Sequence, residues 1–291
     1  MSAGAEYFEV RVFPDPSASK RYAQLVGLKP IQERLLKEAE VLLDRSKLTA
    51  WNKRHHSGKL KRIIHIFTDR APLFIFSGDI GTGKTALAET FPDEVARAQK
   101  LGVTEYKLSL HARGSGLVGE MSSLIAKAFE QVISDAEKLK SESGRPRAAV
   151  VLFIDEADAL AQSRELSQMH HEDRAGVNSL IRGLDRISGS GLPILVVLST
   201  NRLEAIDPAV RRRAADTFIF VRPDQDKIRE ILSDVLGEAG FDSGQCGEIA
   251  AAMAGDSEKK YGYTYSDIYH RYFPALLLIR SQIDRCHSPL L

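Results

Sequence analysis

The chain has 291 residues, 43% of them hydrophobic and 27% charged, the composition of a folded protein with a sizeable core and not of a disordered one. Forty Lys and Arg against 39 Asp and Glu leave a formal net charge of +1, so the overall charge argues against nucleic acid as a partner. The apolar runs fall far short of the roughly 20 residues that span a bilayer. Met1–Glu6 lacks the basic region and apolar stretch of a secretory leader, and Cys246 and Cys286 make neither a disulfide framework nor a metal site, so a reducing cytoplasm is expected.

Residues 1–20 contain two prolines and no helical pattern, which suits an arm or a short edge element. Residues 28–48 read as one amphipathic helix, with Ile31, Leu35, Leu36, Ala39, Val41 and Leu42 at helical spacing. The basic stretch 53–62 reads as solvated surface, with a phosphate or partner contact as the alternative. Trp51 beside it is a packing or surface aromatic, or a stacking platform for a nucleobase. Strands are expected at 73–77, 105–110, 149–154, 193–199 and 217–221, and helices at 84–91, 121–138 and 174–186. This alternation is the rhythm of crossover units that feed a mostly parallel sheet, an α/β fold. Pro92 ends or kinks the helix before it, and Asp93-Glu94 suits a fresh first turn. Past Val221 no strong strand remains, and helices are expected at 225–237, 245–254 and 264–284. His170-His171-Glu172-Asp173 points its side chains in different directions on a helix, so a surface face is expected there and not a metal cluster.

The run Gly78-Asp79-Ile80-Gly81-Thr82-Gly83-Lys84-Thr85 fits G-x-x-x-x-G-K-[ST], and it stands between an apolar strand and a good helix former. Glycines let the backbone wrap a phosphate with its N–H groups inward, and the helix N-terminus adds a favourable dipole. Lys84 would face the β and γ phosphates of a nucleotide, and Thr85 would supply a hydroxyl to Mg²⁺. A second apolar run, Val150–Ile154, ends in Asp155-Glu156. Open α/β sheets bind ligands at that end of their strands. Asp155 suits Mg²⁺, directly or through water, and Glu156 suits polarising a water for attack on the γ phosphate; helix capping is the alternative. Asp158 reads as an acidic surface residue or cap and not as a catalytic group. Asn201, at the end of strand 193–199, is either a turn residue or a group that orients the attacking water. Arg211-Arg212-Arg213 faces solvent, a bound phosphate, or the nucleotide of a neighbouring copy.

Taken together, Gly78–Thr85, Phe153–Leu160, Ser199–Arg202 and Ile206–Arg213 resemble the AAA+ ATPases over roughly residues 24–285. The resemblance implies ATP and Mg²⁺ as ligands and ATP hydrolysis as the reaction. It makes Glu156 the water-activating glutamate, Asn201 the polar sensor, Arg212 and Arg213 the arginine fingers, and Val26-Gly27 the adenine-contacting segment. It also implies a hexameric ring, an N-terminal arm at 1–23, an ATPase domain at 24–221 and a helical lid at 222–291. Within the family, Asp155–Leu160 and Asp173–Ile181 look like the remodelling branch, most similar to the HORMA-domain remodelers and their bacterial relatives in anti-phage defence. The implied partner is a HORMA-domain protein; the alternative is an AAA+ ATPase acting on DNA, such as a loader or transposition helper. Two positions depart from the branch. The pore-loop stretch Gly116–Glu120 has no aromatic, leaving Leu117 and Val118 to grip a peptide or to pack at a helix start. Gly262–Asp267 lacks the second sensor arginine, for which Arg271 is the substitute one helical turn on.

Overall fold

In the computed structural model the described residues are 8–109, 120–139, 146–160, 171–255 and 261–278. They fall into two compact units: one holds the chain through Gly78 and from Lys84 to Ile219, the other Asp79–Gly83 and the chain from Phe220 onward.

The first unit is built on a six-stranded sheet of order β1-β3-β4-β5-β2-β6. The strands are β1 (Glu9–Phe13), β2 (Leu73–Gly78), β3 (Gly102–Ser109), β4 (Ala148–Asp155), β5 (Ile194–Thr200) and β6 (Asp216–Phe220). β3, β4, β5 and β2 pair in parallel, so their C-terminal ends lie along one edge. β1 pairs antiparallel with β3 and is the edge element expected near the N-terminus. Every residue of β5 is buried, as are the last seven of β4. Such unbroken apolar runs are what a strand needs when both of its faces are covered.

Helices cover both faces. The helices of this unit are α1 (Pro16–Ala23), α2 (Lys29–Leu43), α3 (Arg45–His56), α4 (Lys61–Thr68), α5 (Lys84–Ala88), α6 (Phe91–Gln99), α7 (Glu120–Lys138), α8 (His171–Ile187) and α9 (Pro208–Arg211). Ile125, Phe129 and Val132 of α7 and Leu180, Leu184 and Ile187 of α8 form one core with Ile75, Leu152 and Leu198 of the sheet. α7 and α8 meet so closely that a Cβ on Gly183 would fall 2.3 Å from the Phe129 ring. Elsewhere Phe74 and Phe76 each stand edge-on to Phe218, with Phe91 beside Phe76.

Three local expectations change. The helix read across 28–48 stops at Leu43, because Asp44 turns out of the helix and accepts the Ser46 N–H at 3.1 Å, capping α3. α1 and α4 were not legible. α1 is started by Asp15, whose side chain accepts from the Ser17 N–H, with Pro16 tolerated in the first turn. The basic stretch is largely solvated, as expected: Lys53, Arg54, His55, His56, Lys59, Lys61 and Arg62 are exposed. Trp51 is also exposed and lies against His56, ring centroids 4.6 Å apart. α5 ends at Ala88, before Pro92, which instead stands in the first turn of α6 with Asp93 and Glu94.

The second unit is helical: α10 (Gln225–Leu236), α11 (Ser243–Met253) and α12 (Tyr265–Asp267), which runs into a wider π-helical stretch at Ile268–Tyr272. Ile228, Ile231, Leu232 and Leu236 of α10 and Cys246, Ala250 and Met253 of α11 are among its buried residues, with Ile268 and Phe273. Cys246 is a free thiol in this core, and Cys286 lies outside the described residues. Among the described residues no helix is long and apolar enough to cross a membrane.

Candidate active site

β2 runs out at Gly78, and α5 opens with Lys84. The glycines of the loop between them take backbone angles closed to other residues, with φ +81° at Gly81 and +98° at Gly83. Lys84 is only 6% exposed, and its ammonium donates to the Gly78 carbonyl at 2.7 Å. A buried cation needs such a partner, and the loop backbone supplies one.

The Thr85 hydroxyl stands 3.2 and 3.4 Å from the two carboxylate oxygens of Asp155, the last residue of β4. β5 separates β2 from β4 in the sheet, so it is α5, crossing from the end of β2, that carries Thr85 to β4. Asp155 also accepts the N–H of Glu156 at 3.0 Å. Glu156 itself has φ +55°, in the left-handed region. For an L-residue that conformation costs on the order of 1 kcal/mol or more, and such strain gathers at functional sites.

Asp158 is buried and accepts from the Thr200 hydroxyl at 3.5 Å and from the Asn201 N–H at 3.4 Å, joining the turn after β4 to the end of β5. The Thr200 hydroxyl also bonds both ways to the backbone of Arg202 at 3.1 Å. Asn201 is therefore set in a fixed turn beside the ends of β4 and β5. Asp158, in the first turn of a short 3-10 helix at Ala157–Leu160, thus helps to organise this turn, a role its sequence position did not reveal.

Arg213 is tied within the unit: its guanidinium forks onto the Asp185 carboxylate at 2.7 and 3.0 Å and donates to the Ala209 carbonyl at 2.9 Å. These bonds to Arg213 hold the Asp185 carboxyl below its ordinary range. Arg211 and Arg212 are exposed. Val26 and Gly27 lie half-buried in the connection between α1 and α2, with Gly27 at φ +77°. Leu117, Val118 and His170 lie outside the described residues.

Asp79, Ile80, Gly81, Thr82 and Gly83, the apex of the loop, group with the second unit. There Arg222 donates to Asp79 at 2.7 Å and to the Gly262 carbonyl, and the Ser266 N–H donates to the Gly81 carbonyl at 3.1 Å. A Cβ on Gly81 would stand 2.6 Å from the Thr264 hydroxyl, so this position requires glycine twice over, for its angle and for its space. Ile80 is 76% exposed, and the Thr82 hydroxyl donates to the Asp79 carbonyl at 2.7 Å. The Gly262–Asp267 stretch thus holds the loop apex without an arginine of its own. Arg271 is exposed and pairs with Asp267 at 3.2 Å.

A glycine-rich loop between strand and helix, with Lys84 and Thr85 opening the helix and Asp155-Glu156 at the end of a buried strand of the same sheet, defines a P-loop nucleoside triphosphatase. Residues 74–223 match the ATPase family associated with various cellular activities (AAA), and the chain belongs to that family. It hydrolyses ATP. CD-NTase-associated protein 6 of Escherichia coli (strain MS 115-1) is 45% identical over 94% of this chain and 88% of its own length. The protein of the same name from Escherichia coli (strain KTE188) is 36% identical over 95% of this chain and 90% of its own. Among solved structures, a chain of the E. coli MS115-1 HORMA:CdnC:Trip13 complex superposes with a TM-score of 0.85 at 42% identity, covering 96% of this chain and 91% of that one. Rhizobiales Trip13 superposes with a TM-score of 0.72 at 36% identity, covering 94% and 90%.

Proposed function

We propose that this chain assembles into a hexameric ring that uses ATP to remodel a HORMA-domain protein, and that it does so in bacterial anti-phage signalling. The observation that carries the reading is the likeness, at 42% identity over 96% of the chain, to a subunit of the HORMA:CdnC:Trip13 complex. The site supports the ATP-binding part of the reading. The described residues contain no group of three His, Cys, Asp or Glu that would enclose a metal by itself. A hydroxyl and a carboxylate in contact, Thr85 and Asp155, are instead the hard oxygen donors with which Mg²⁺ keeps its waters and takes up phosphate oxygens. Bound there, Mg²⁺ would neutralise charge on the β and γ phosphates.

In this reading Gly78–Gly83 cradles the phosphates with its backbone N–H groups, and Lys84 leaves the Gly78 carbonyl for the γ phosphate. Glu156 takes the proton of the attacking water, and Asn201 orients that water. Arg212, exposed on its own subunit, reaches the nucleotide of the next. Arg213 either joins it or braces it through Asp185. Val26-Gly27 takes the adenine. Residues 222–291 act as the helical lid, residues 1–23 as the N-terminal arm, and the ring works in the cytoplasm, where its ATP is.

The test is ATP turnover of the purified chain with a HORMA-domain protein from the same genomic neighbourhood, and separately with DNA. Stimulation by the HORMA-domain protein alone supports the reading. Stimulation by DNA alone sinks it and favours a loader or transposition helper.

A further inference from the structure

Glu89 follows α5 four residues after Thr85, and its N–H donates to the Thr85 carbonyl at 3.0 Å. Positions four apart on a helical turn share a face. On β3, Lys107 is paired in parallel register opposite Phe153, and Ser109 opposite Asp155. Side chains alternate along strands, so Lys107 and Asp155 fall on the same face of the sheet. The Lys107 ammonium donates to Glu89 at 2.5 Å, lies 3.9 Å from the Asp155 carboxylate, and sits 5.6 Å from the centre of the Phe153 ring. With the contact from Thr85 to Asp155, the four residues close a circuit: Thr85, Asp155, Lys107, Glu89 and back to Thr85.

The circuit is sheltered and anchored. The side chains of Lys107, Asp155 and Glu89 are only 17%, 13% and 13% exposed, so water and salt screen their attraction weakly. Glu89 is also held from its other side, with Arg11 of β1 at 2.8 Å and Arg21 of α1 at 3.7 Å. One cation thus lies between the carboxylate that ends β4 and the carboxylate that follows the phosphate-loop helix.

We propose that Lys107 is a positioning residue for Asp155. It holds that carboxylate against the Thr85 hydroxyl in the orientation that receives Mg²⁺, and it acts through the circuit and not by touching ATP. The proposal rests on Thr85 and Asp155 as the metal-binding pair.

The experiment uses the full chain with Lys107→Met, Lys107→Gln and Lys107→Arg, and Thr85→Ala as the control. A fluorescent ATP analogue is titrated in EDTA and then at rising MgCl₂, and thermal unfolding is recorded for each variant. Groups that orient a metal ligand are worth about 10–100-fold in metal affinity, so the Mg²⁺ concentration for half-maximal binding should rise about tenfold in both neutral variants. Binding in EDTA should stay within about twofold, and Lys107→Arg, which keeps the charge, should stay close to wild type. An unchanged Mg²⁺ requirement overturns the proposal. So does an equal loss in EDTA, a loss shared in full by Lys107→Arg, or unfolding of both neutral variants, which would mark Lys107 as structural. If Thr85→Ala leaves the Mg²⁺ requirement untouched, the metal-binding pair itself is misassigned and the proposal falls with it.

Discussion

Asp155 ends a strand whose last seven residues are buried, while Gly81 sits in a loop held by Arg222, Thr264 and Ser266 around a three-residue helical turn. The two are placed by different kinds of force. Around Asp155 the backbone is locked into a parallel ladder packed against α7 and α8 on one face, and displacing it would open the core. Around Gly81 the contacts are backbone hydrogen bonds and an ion pair whose partners are 51% and 29% exposed. Exposed pairs of that kind contribute about 0–1 kcal/mol. The residues proposed for the chemistry therefore stand at the end of a buried strand, and the loop apex on contacts that are inexpensive to rearrange.

Glu156→Gln should cut turnover by about 10²–10⁴-fold while ATP still binds, since the amide cannot take a proton from water. Rapid turnover in this variant would remove the chemistry from the end of β4. Phe129→Ala, which empties the contact between α7 and Gly183, should cost about 3–5 kcal/mol in chemical denaturation. A loss below 1 kcal/mol, by the same principle roughly the cost of a surface change, would show that this core is not what fixes the site.

A third test concerns Glu105 on β3. Its carboxylate is fully buried, 4.0 Å from Arg11, and its oxygens lack hydrogen-bond partners among the described residues. Burial pushes its pKa up to about 8, with Arg11 and Lys107 opposing and Glu89 and Glu9 adding to the rise. The folded chain then holds a proton that the unfolded chain has released. That contribution is fully present below the ordinary glutamate range and is lost as pH rises toward 8. Glu105→Gln should flatten this fall and gain about 1–3 kcal/mol at pH 8 relative to wild type. A wild-type unfolding temperature that is level across pH 5–8 would contradict it.

The smallest effects are expected at backbone strain and at the loop apex. Glu156→Gly should be more stable than Glu156→Gln by about 1 kcal/mol, because glycine takes φ +55° without strain. Asp79→Ala should change unfolding by less than about 1 kcal/mol. A larger cost there would erase the contrast between the two regions.

The strands, the glycine loop, the two carboxylates after Ile154 and the fresh helix at Pro92 were all readable from local pattern. Each depends on neighbours in the chain: an apolar run long enough to be buried, a glycine where φ must be positive, a proline that cannot continue a helix. The break at Asp44 was missed because helical periodicity runs straight through it, and only the cap on Ser46 shows the stop. α1 and α4 are short and drew no signal above their prolines and lysines. Asp158, though inside Phe153–Leu160, gave no sign of its partner, and Lys107 and Arg222 carried no motif. Their partners, Asn201, Glu89 with Asp155, and Asp79, lie 43, 18 to 48 and 143 residues away. The sequence by itself thus determined the glycine-rich loop between β2 and α5 and the carboxylates at the end of β4, since each is written in one contiguous segment. Only the tertiary structure decided what holds Asp155 and Asn201 in place, because charge pairing acts through space, and the register of β3 against β4 is what brings Lys107 to its carboxylates.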